Sequence, residues 1–215
     1  MIFNRHSELE GRHAILSASS WRWLNDEDTD SLTKRICSQY ATEIGTILHA
    51  VAYKHIKHRI KINKYDKKNV MLELLSKGIP GFVIDSINFD AMFENFMIYV
   101  NDGIGFKMEP EVVLRYSNNF FGTADTITYL EDSRFLRIHD YKSGVTPAHM
   151  EQLKIYAALF CLEYRTKPSF LSGIELRIYQ NNEVIFHNPE PEEISIVIDK
   201  IVTFDKFLTT INEEV

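Results

Sequence analysis

Cysteine is nearly missing from this chain: 215 residues carry two, Cys37 and Cys161, far apart and in no CxxC pair. A disulfide framework, a zinc ribbon and a four-cysteine iron–sulfur cluster are thereby excluded. No apolar stretch reaches the roughly 18 residues that a spanning helix needs, and Met1 to Glu8 holds no apolar leader. The expectation is a cytoplasmic chain in a reducing compartment, with no membrane contact. Internal repeats and low-complexity segments are absent as well. An excess of positive charge is also lacking. Lys and Arg number 24 against 30 Asp and Glu, a formal net charge of −6, so affinity for nucleic acid needs a local basic patch. Apolar residues, in contrast, are ample. At 45% hydrophobic and 12% aromatic, the chain can bury a core without disulfides or a structural metal.

Hydrophobic periodicity divides a single domain, 1–215, into three stretches. Residues 1–105 read as mainly helical. Leu16-Ser17-Ala18-Ser19-Ser20 offers two serine N-caps ahead of Trp21, Trp23 and Leu24. Ile44, Leu48, Val51, Ala52 and Ile56, spaced by three and four, predict a helix over about 42–62. Residues 70–75 predict a short helix that Gly78-Ile-Pro-Gly81 breaks, and 85–100 another that ends before Gly103 and Gly105. The middle, 106–190, changes character. Extended runs at about 106–116, 120–130 and 135–141 are separated by turns at 117–119 and 131–133. A helix over 147–163 follows, with Pro147 near its first turn, then a hairpin of 174–179 and 184–186 about Asn181-Asn182. The tail, 191–215, is a final amphipathic helix. This order predicts an α/β (α+β) fold with an N-terminal helical elaboration.

The chemistry-bearing stretch runs from Glu109 to Tyr156. Asp125 stands in Gly122-Thr-Ala-Asp125, and Asp140-Tyr-Lys142 follows at the end of the next extended run. On neighbouring antiparallel strands, two carboxylates and a lysine can meet near one end of a hairpin. Such a pair holds a hard divalent cation through oxygen ligands. The cation acidifies a bound water, and a nearby ammonium steadies a developing anion. That geometry suits hydrolysis of a phosphodiester. Asp66-Lys67-Lys68 is a similar triplet but reads as a solvated loop in a lysine-rich stretch. Gln152 and Tyr156 stand four apart and share a helix face. Upstream, Glu109 and Glu111 share strand parity, so either can face the cluster; the sequence does not decide between them.

In their joint order, Gly122-Thr-Ala-Asp125, Asp140-Tyr-Lys142 and Gln152-Leu-Lys-Ile-Tyr156 resemble the PD-(D/E)XK nuclease superfamily. They are most similar to its RecB-like branch, which includes phage exonucleases. Leu16-Ser-Ala-Ser-Ser-Trp21 and Gly45-Thr-Ile-Leu-His49 fit that branch, and the resemblance spans about 13–160. It implies a restriction-endonuclease-like core with a central mixed sheet flanked by helices. By the same resemblance, Asp125 and Asp140 bind Mg²⁺ or Mn²⁺, with the Tyr141 carbonyl and His49 as further ligands. Lys142 is then the catalytic lysine, Gln152 and Tyr156 hold DNA or brace the site, and Glu109 or Glu111 assists. Asp140 replaces the commoner Glu, and the iron–sulfur cysteines of several RecB-like members are missing, so no cluster is expected. An imidazole ligand tilts preference toward Mn²⁺, and Gly45, one turn before His49, leaves room for close approach.

Lys54, Lys57, Arg59, Lys61, Lys64, Lys67 and Lys68 crowd one stretch after the histidine helix, a candidate phosphate track. The implied function is a metal-dependent DNA nuclease, foremost a phage-type exonuclease on double-stranded ends in recombination, repair or DNA processing. Two alternatives stay open. One is an endonuclease on branched DNA, single strands or RNA; the other is a catalytically silent nuclease fold that binds nucleic acid or protein. Expected partners are DNA, a single-strand-annealing or other recombination protein by analogy, and further copies of the chain, in the cytoplasm of a bacterial or phage-infected cell.

Overall fold

The computed structural model of the chain describes residues 4–11, 14–26, 28–144 and 146–213. Met1–Phe3 of the expected leader-free start, His13 at the edge of the motif pattern, and the last two residues of the expected C-terminal helix lie outside these. Twelve helices and strands follow in order: α1 (Trp23–Asp26), α2 (Thr29–Lys57), α3 (Lys67–Ser76), α4 (Gly81–Ser86), α5 (Phe89–Gly105), β1 (Glu109–Arg115), β2 (Phe121–Leu130), β3 (Phe135–Tyr141), α6 (Glu151–Glu163), β4 (Gly173–Gln180), β5 (Glu183–His187) and α7 (Pro191–Glu213). One five-stranded sheet has the order β1-β2-β3-β4-β5. β1, β2 and β3 form an antiparallel meander, β3 and β4 run parallel across the α6 crossover, and β5 returns antiparallel. Asn181 and Asn182 take φ of 52° and 63°, the paired left-handed geometry of a two-residue hairpin turn.

Helices cover both faces of the sheet. Ile44, Leu48, Val51 and Ile56 of α2 pack with Phe93, Phe96, Tyr99 and Val100 of α5 and with Tyr141 and Tyr179. On the other face, Leu153, Ala157 and Phe160 of α6 and Ile194 and Ile201 of α7 pack with Leu114, Ala124, Leu136, Ile138 and Leu176. This is the mixed α+β arrangement expected from the sequence. Among the described residues, no helix is long and apolar enough to cross a membrane.

Several boundaries differ from the sequence expectation. α2 begins at Thr29 rather than 42, because the Asp28 side chain accepts a bond from the Ser31 N–H at 2.8 Å and caps it there. It stops at Lys57 because Arg59 turns to φ 57°, with the N–H of Ile60 reaching back to the carbonyl of His55. The expected serine caps do not form. Ser17 and Ser20 bond each other through their hydroxyls at 2.6 Å, leaving a short 3₁₀ turn and the four-residue α1. Asp66 lies in no loop: it accepts from the Asn63 N–H at 2.9 Å in a capping box ahead of α3. Gly103 does not end α5. A Cβ there would meet Ile56 Cδ1 at 3.0 Å, so the missing side chain permits α2 and α5 to approach. Pro147 stands outside α6, because Gln180 holds the preceding link irregular. Its Nε2 donates to the carbonyls of Gly144 at 2.6 Å and Thr146 at 2.7 Å, and its Oε1 accepts from the Ala148 N–H at 2.9 Å.

A candidate metal centre

The β1–β2 ladder breaks at one place. Pro110 pairs with Thr126 and Val112 with Ala124, but the opposed residues between them, Glu111 and Asp125, are not paired. Glu111 takes φ 54°, a conformation a glutamate adopts only where its surroundings impose it. On β2, Ala124 and Ile127 both pack against the α6 layer, which strict alternation forbids. The strand therefore swaps faces between them, and the two acids stand at the swap.

His49 of α2 reaches the same point. One ligand atom each from His49, Glu111 and Asp125 lie within 4.8 Å of one another, and His49 Nδ1 is 3.5 Å from Asp125 Oδ2. Two donors on opposite sides of one Mg²⁺ stand about 4 Å apart, so the three are spaced as ligands of a single ion. The other oxygens here are poorly satisfied. Asp140 is 1% exposed and neither of its carboxylate oxygens accepts a hydrogen bond. Lys142 Nζ stands 3.1 Å from Oδ2 as a charge contact without hydrogen-bond geometry. Burial, reinforced by the Asp125 charge and opposed by Lys142, raises the Asp140 carboxyl to about 7. Burial likewise raises Asp125 to about 6, against the pull of the Tyr141 N–H, which donates to its Oδ2 at 3.1 Å, and of Lys142. Burial lowers His49, favouring the neutral imidazole that ligation requires. Buried carboxylates short of partners, beside a neutral imidazole, are what a divalent cation stabilises. The donor set fits Mg²⁺ or Mn²⁺.

Asp140 adjoins Asp125 but is not among the three mutually close donors. Lys142 Nζ also donates to Gln152 Oε1 at 3.1 Å, and Gln152 Nε2 donates to the Tyr156 hydroxyl at 3.2 Å. Gly122 admits that tyrosine, since a Cβ there would meet Tyr156 Cε1 at 2.9 Å. Gly45 serves the approach of a second segment, because its Cβ would stand 3.3 Å from Ser143 Oγ. The Tyr141 ring is buried beside Tyr99 and Phe96, its hydroxyl donating to the Met92 carbonyl at 3.3 Å. That ring anchors the backbone between Asp140 and Lys142.

Glu109 stands apart from the centre. It pairs with Lys57 at 3.2 Å and Arg59 at 3.1 Å, and Arg59 also donates to the Met108 carbonyl at 2.8 Å. Lys57 and Arg59 are thus tied to the start of β1, and Lys67 pairs with Asp90. Lys54 and Lys61 are exposed and have no ion pair among the described residues. The sequence reading did not single out Gln180, 3% exposed, which clamps the link after Lys142. A lone amide at the end of the alternating β4 strand is its signal.

The chain belongs to the family described as a protein of unknown function (DUF2800), whose model matches residues 13–182. That span takes in every residue of the centre, from His49 to Gln180. Comparison with curated proteins and with solved structures gave no match.

Proposed function

We propose that this protein is a metal-dependent nuclease of the PD-(D/E)XK kind that hydrolyses phosphodiester bonds in DNA. The observation that carries the reading is the meeting of His49, Glu111 and Asp125 beside a buried, unbonded Asp140 carboxylate and the Lys142 ammonium. A bound Mg²⁺ or Mn²⁺ supplies an acidified water and neutralises phosphate charge. The chain's own groups do the rest. Glu111, Asp125 and the neutral His49 are the ligands, and Asp140 adds negative charge behind Asp125. Lys142 offers its remaining protons to the water or to the phosphoryl oxygens. Gln152, steadied by Tyr156, holds that ammonium on the substrate side of Asp140. Action on double-stranded ends, a recombination partner and a bacterial or phage-infected cell as its setting rest on the motif resemblance alone.

End-labelled linear duplex and a closed circle, each with Mg²⁺, Mn²⁺ or EDTA, test the reading. Lys142→Ala and Asp125→Asn run beside the wild type after circular dichroism shows each folded. Metal-dependent loss of the linear DNA alone, lowered at least about 100-fold in both variants, supports an exonuclease. Cutting of the circle moves the assignment to an endonuclease. Binding without cleavage of duplex, single strands or RNA removes the catalytic reading.

A further inference from the structure

The sheet face that carries Glu111 and Asp125 continues past them uncovered. Val113 stands opposite Thr123 and Arg115 opposite Phe121, and all four are exposed. Val113 is 58% and Phe121 63% accessible. The reverse of the same two strands is closed, with Val112, Leu114 and Ala124 in the α6 layer and Gly122 under Tyr156. The open residues lie on the side away from α6, the side from which α2 brings His49 to the two acids. Phe121 precedes Asp125 by four positions, about 13 Å along the strand.

An aromatic ring and a β-branched side chain on open sheet give nothing to the core, and in line with a reactive centre they mark a contact surface. The charge beside them has a sign. The Arg115 guanidinium donates to the neutral Asn118 Oδ1 at 2.7 Å and pairs with no carboxylate among the described residues. The nearby Glu163 carboxylate takes the Arg115 backbone N–H instead, at 2.9 Å.

We propose that this face receives an unpaired nucleic-acid strand on its way to the metal centre, with Phe121 stacked on a base and Arg115 paired with a backbone phosphate. The proposal rests on the nuclease reading. A phenyl ring stacks on any base without regard to sequence, provided the base is free of its complement. A guanidinium presents a planar fork to phosphate oxygens. Their cross-strand pairing sets ring and cation side by side, as successive parts of a single strand require. The chemical class is therefore a single strand, an overhang or a frayed end, not a closed duplex.

The test uses fluorescence anisotropy with a labelled single strand, an overhang duplex and a blunt duplex, in Ca²⁺ to hold binding apart from cleavage. Wild type, Phe121→Ala, Phe121→Tyr and Arg115→Ala are compared, and the wild type is assayed separately for cleavage with Mg²⁺ or Mn²⁺. Phe121→Ala should bind the single strand and the overhang about tenfold more weakly, with Phe121→Tyr restored and the blunt duplex little changed. Arg115→Ala should lower the salt dependence by about one phosphate contact. A 2-aminopurine in the strand should be quenched by the wild type and Phe121→Tyr but stay bright with Phe121→Ala. Equal affinity and quenching for wild type and Phe121→Ala, in a protein that still binds and cuts, overturns this path and leaves the nuclease reading standing. A wild type that neither binds nor cuts any substrate removes that reading and this one together. Loss of self-association in sedimentation by Phe121→Ala, with unchanged nucleic-acid binding, overturns the proposal by giving the face to a second copy of the chain.

Discussion

Two clusters of charge lie on neighbouring strands of one sheet, and they are balanced in opposite ways. Around Glu175, Arg137 Nε and Arg177 Nε each stand 3.0 Å from Oε1 and His139 Nε2 3.3 Å away. Arg177 reaches Asp102 as well, at 3.2 Å, and the Tyr179 hydroxyl donates to the same Asp102 oxygen at 2.7 Å. Burial alone would raise the Glu175 carboxyl, but bonds from His139 and Arg177, with the charges of Arg177 and Arg137, hold it at about 2. At the candidate metal centre, one ammonium serves two buried carboxylates, and both stand raised. The first cluster is balanced in charge, although the buried Arg177 Nε meets Glu175 only as a charge contact without hydrogen-bond geometry, and it acts as a structural tie between β3, β4 and the end of α5. The second is short of positive charge, and that deficit marks it as a candidate cation site.

The contrast can be broken from either side. The largest expected effect is from metal. Mg²⁺ or Mn²⁺ at about 100 times its dissociation constant should stabilise the folded chain by about 2.7 kcal/mol, raising Tm by about 8 °C in a protein of this size. Asp125→Asn should abolish that shift; calorimetry in EDTA and in metal checks both. Next comes Glu175→Ala, which strands the Arg137 guanidinium and leaves Arg177 with Asp102 alone, in a site that is 15% exposed on the Glu175 side. It should lower stability by about 2 kcal/mol, after allowance for solvent screening, while leaving the metal-induced shift intact. If that shift vanished, the two clusters would be one unit and the contrast wrong. Acid gives a gentler version of the same loss. The folded carboxyl of Glu175 titrates at about 2 against an ordinary 4.5, so its contribution is full above about 4.5 and is lost as pH falls toward 2. Urea midpoints across that range should fall less steeply in Glu175→Gln than in the wild type. Smallest in stability is Gly122→Ala, expected to cost about 1 kcal/mol as Tyr156 gives way, with cleavage reduced more than stability accounts for.

The sequence discloses what local rules position better than what distant partners decide. The 135–141 strand is read to the residue because its apolar alternation is bounded by a polar turn and by Ser-Gly. The Gln152–Tyr156 contact is legible because it follows helical spacing, and the approach of Asp125 to the end of the 135–141 strand because the two runs neighbour each other antiparallel. The Glu109–Glu111 choice is not legible, since parity treats them alike. A left-handed glutamate separates them, and Lys57 and Arg59 claim Glu109 from 52 and 50 positions away. Those two cations also show why a run of basic residues does not map onto a basic surface. The early start of α2 hides in a stretch, 29–43, with few apolar residues and one aspartate cap. The late start of α6 depends on Gln180, which no local window contains.

The parallel pairing of β3 with β4 has a consequence for the order in which the protein becomes competent. The Lys142 N–H donates to the Tyr179 carbonyl at 3.0 Å, and Gln180 pins the link that follows. Each closes a loop that includes the whole of α6, so both carry the entropic burden of distant partners. The β1–β2–β3 meander, with Glu111 and Asp125, has only short turns to close. During refolding, Glu111 and Asp125 should come together first, while Lys142 waits for the crossover to dock. On the proposed nuclease reading, gathering the two acids and placing Lys142 are then separate events in time, and the second is gated by β4.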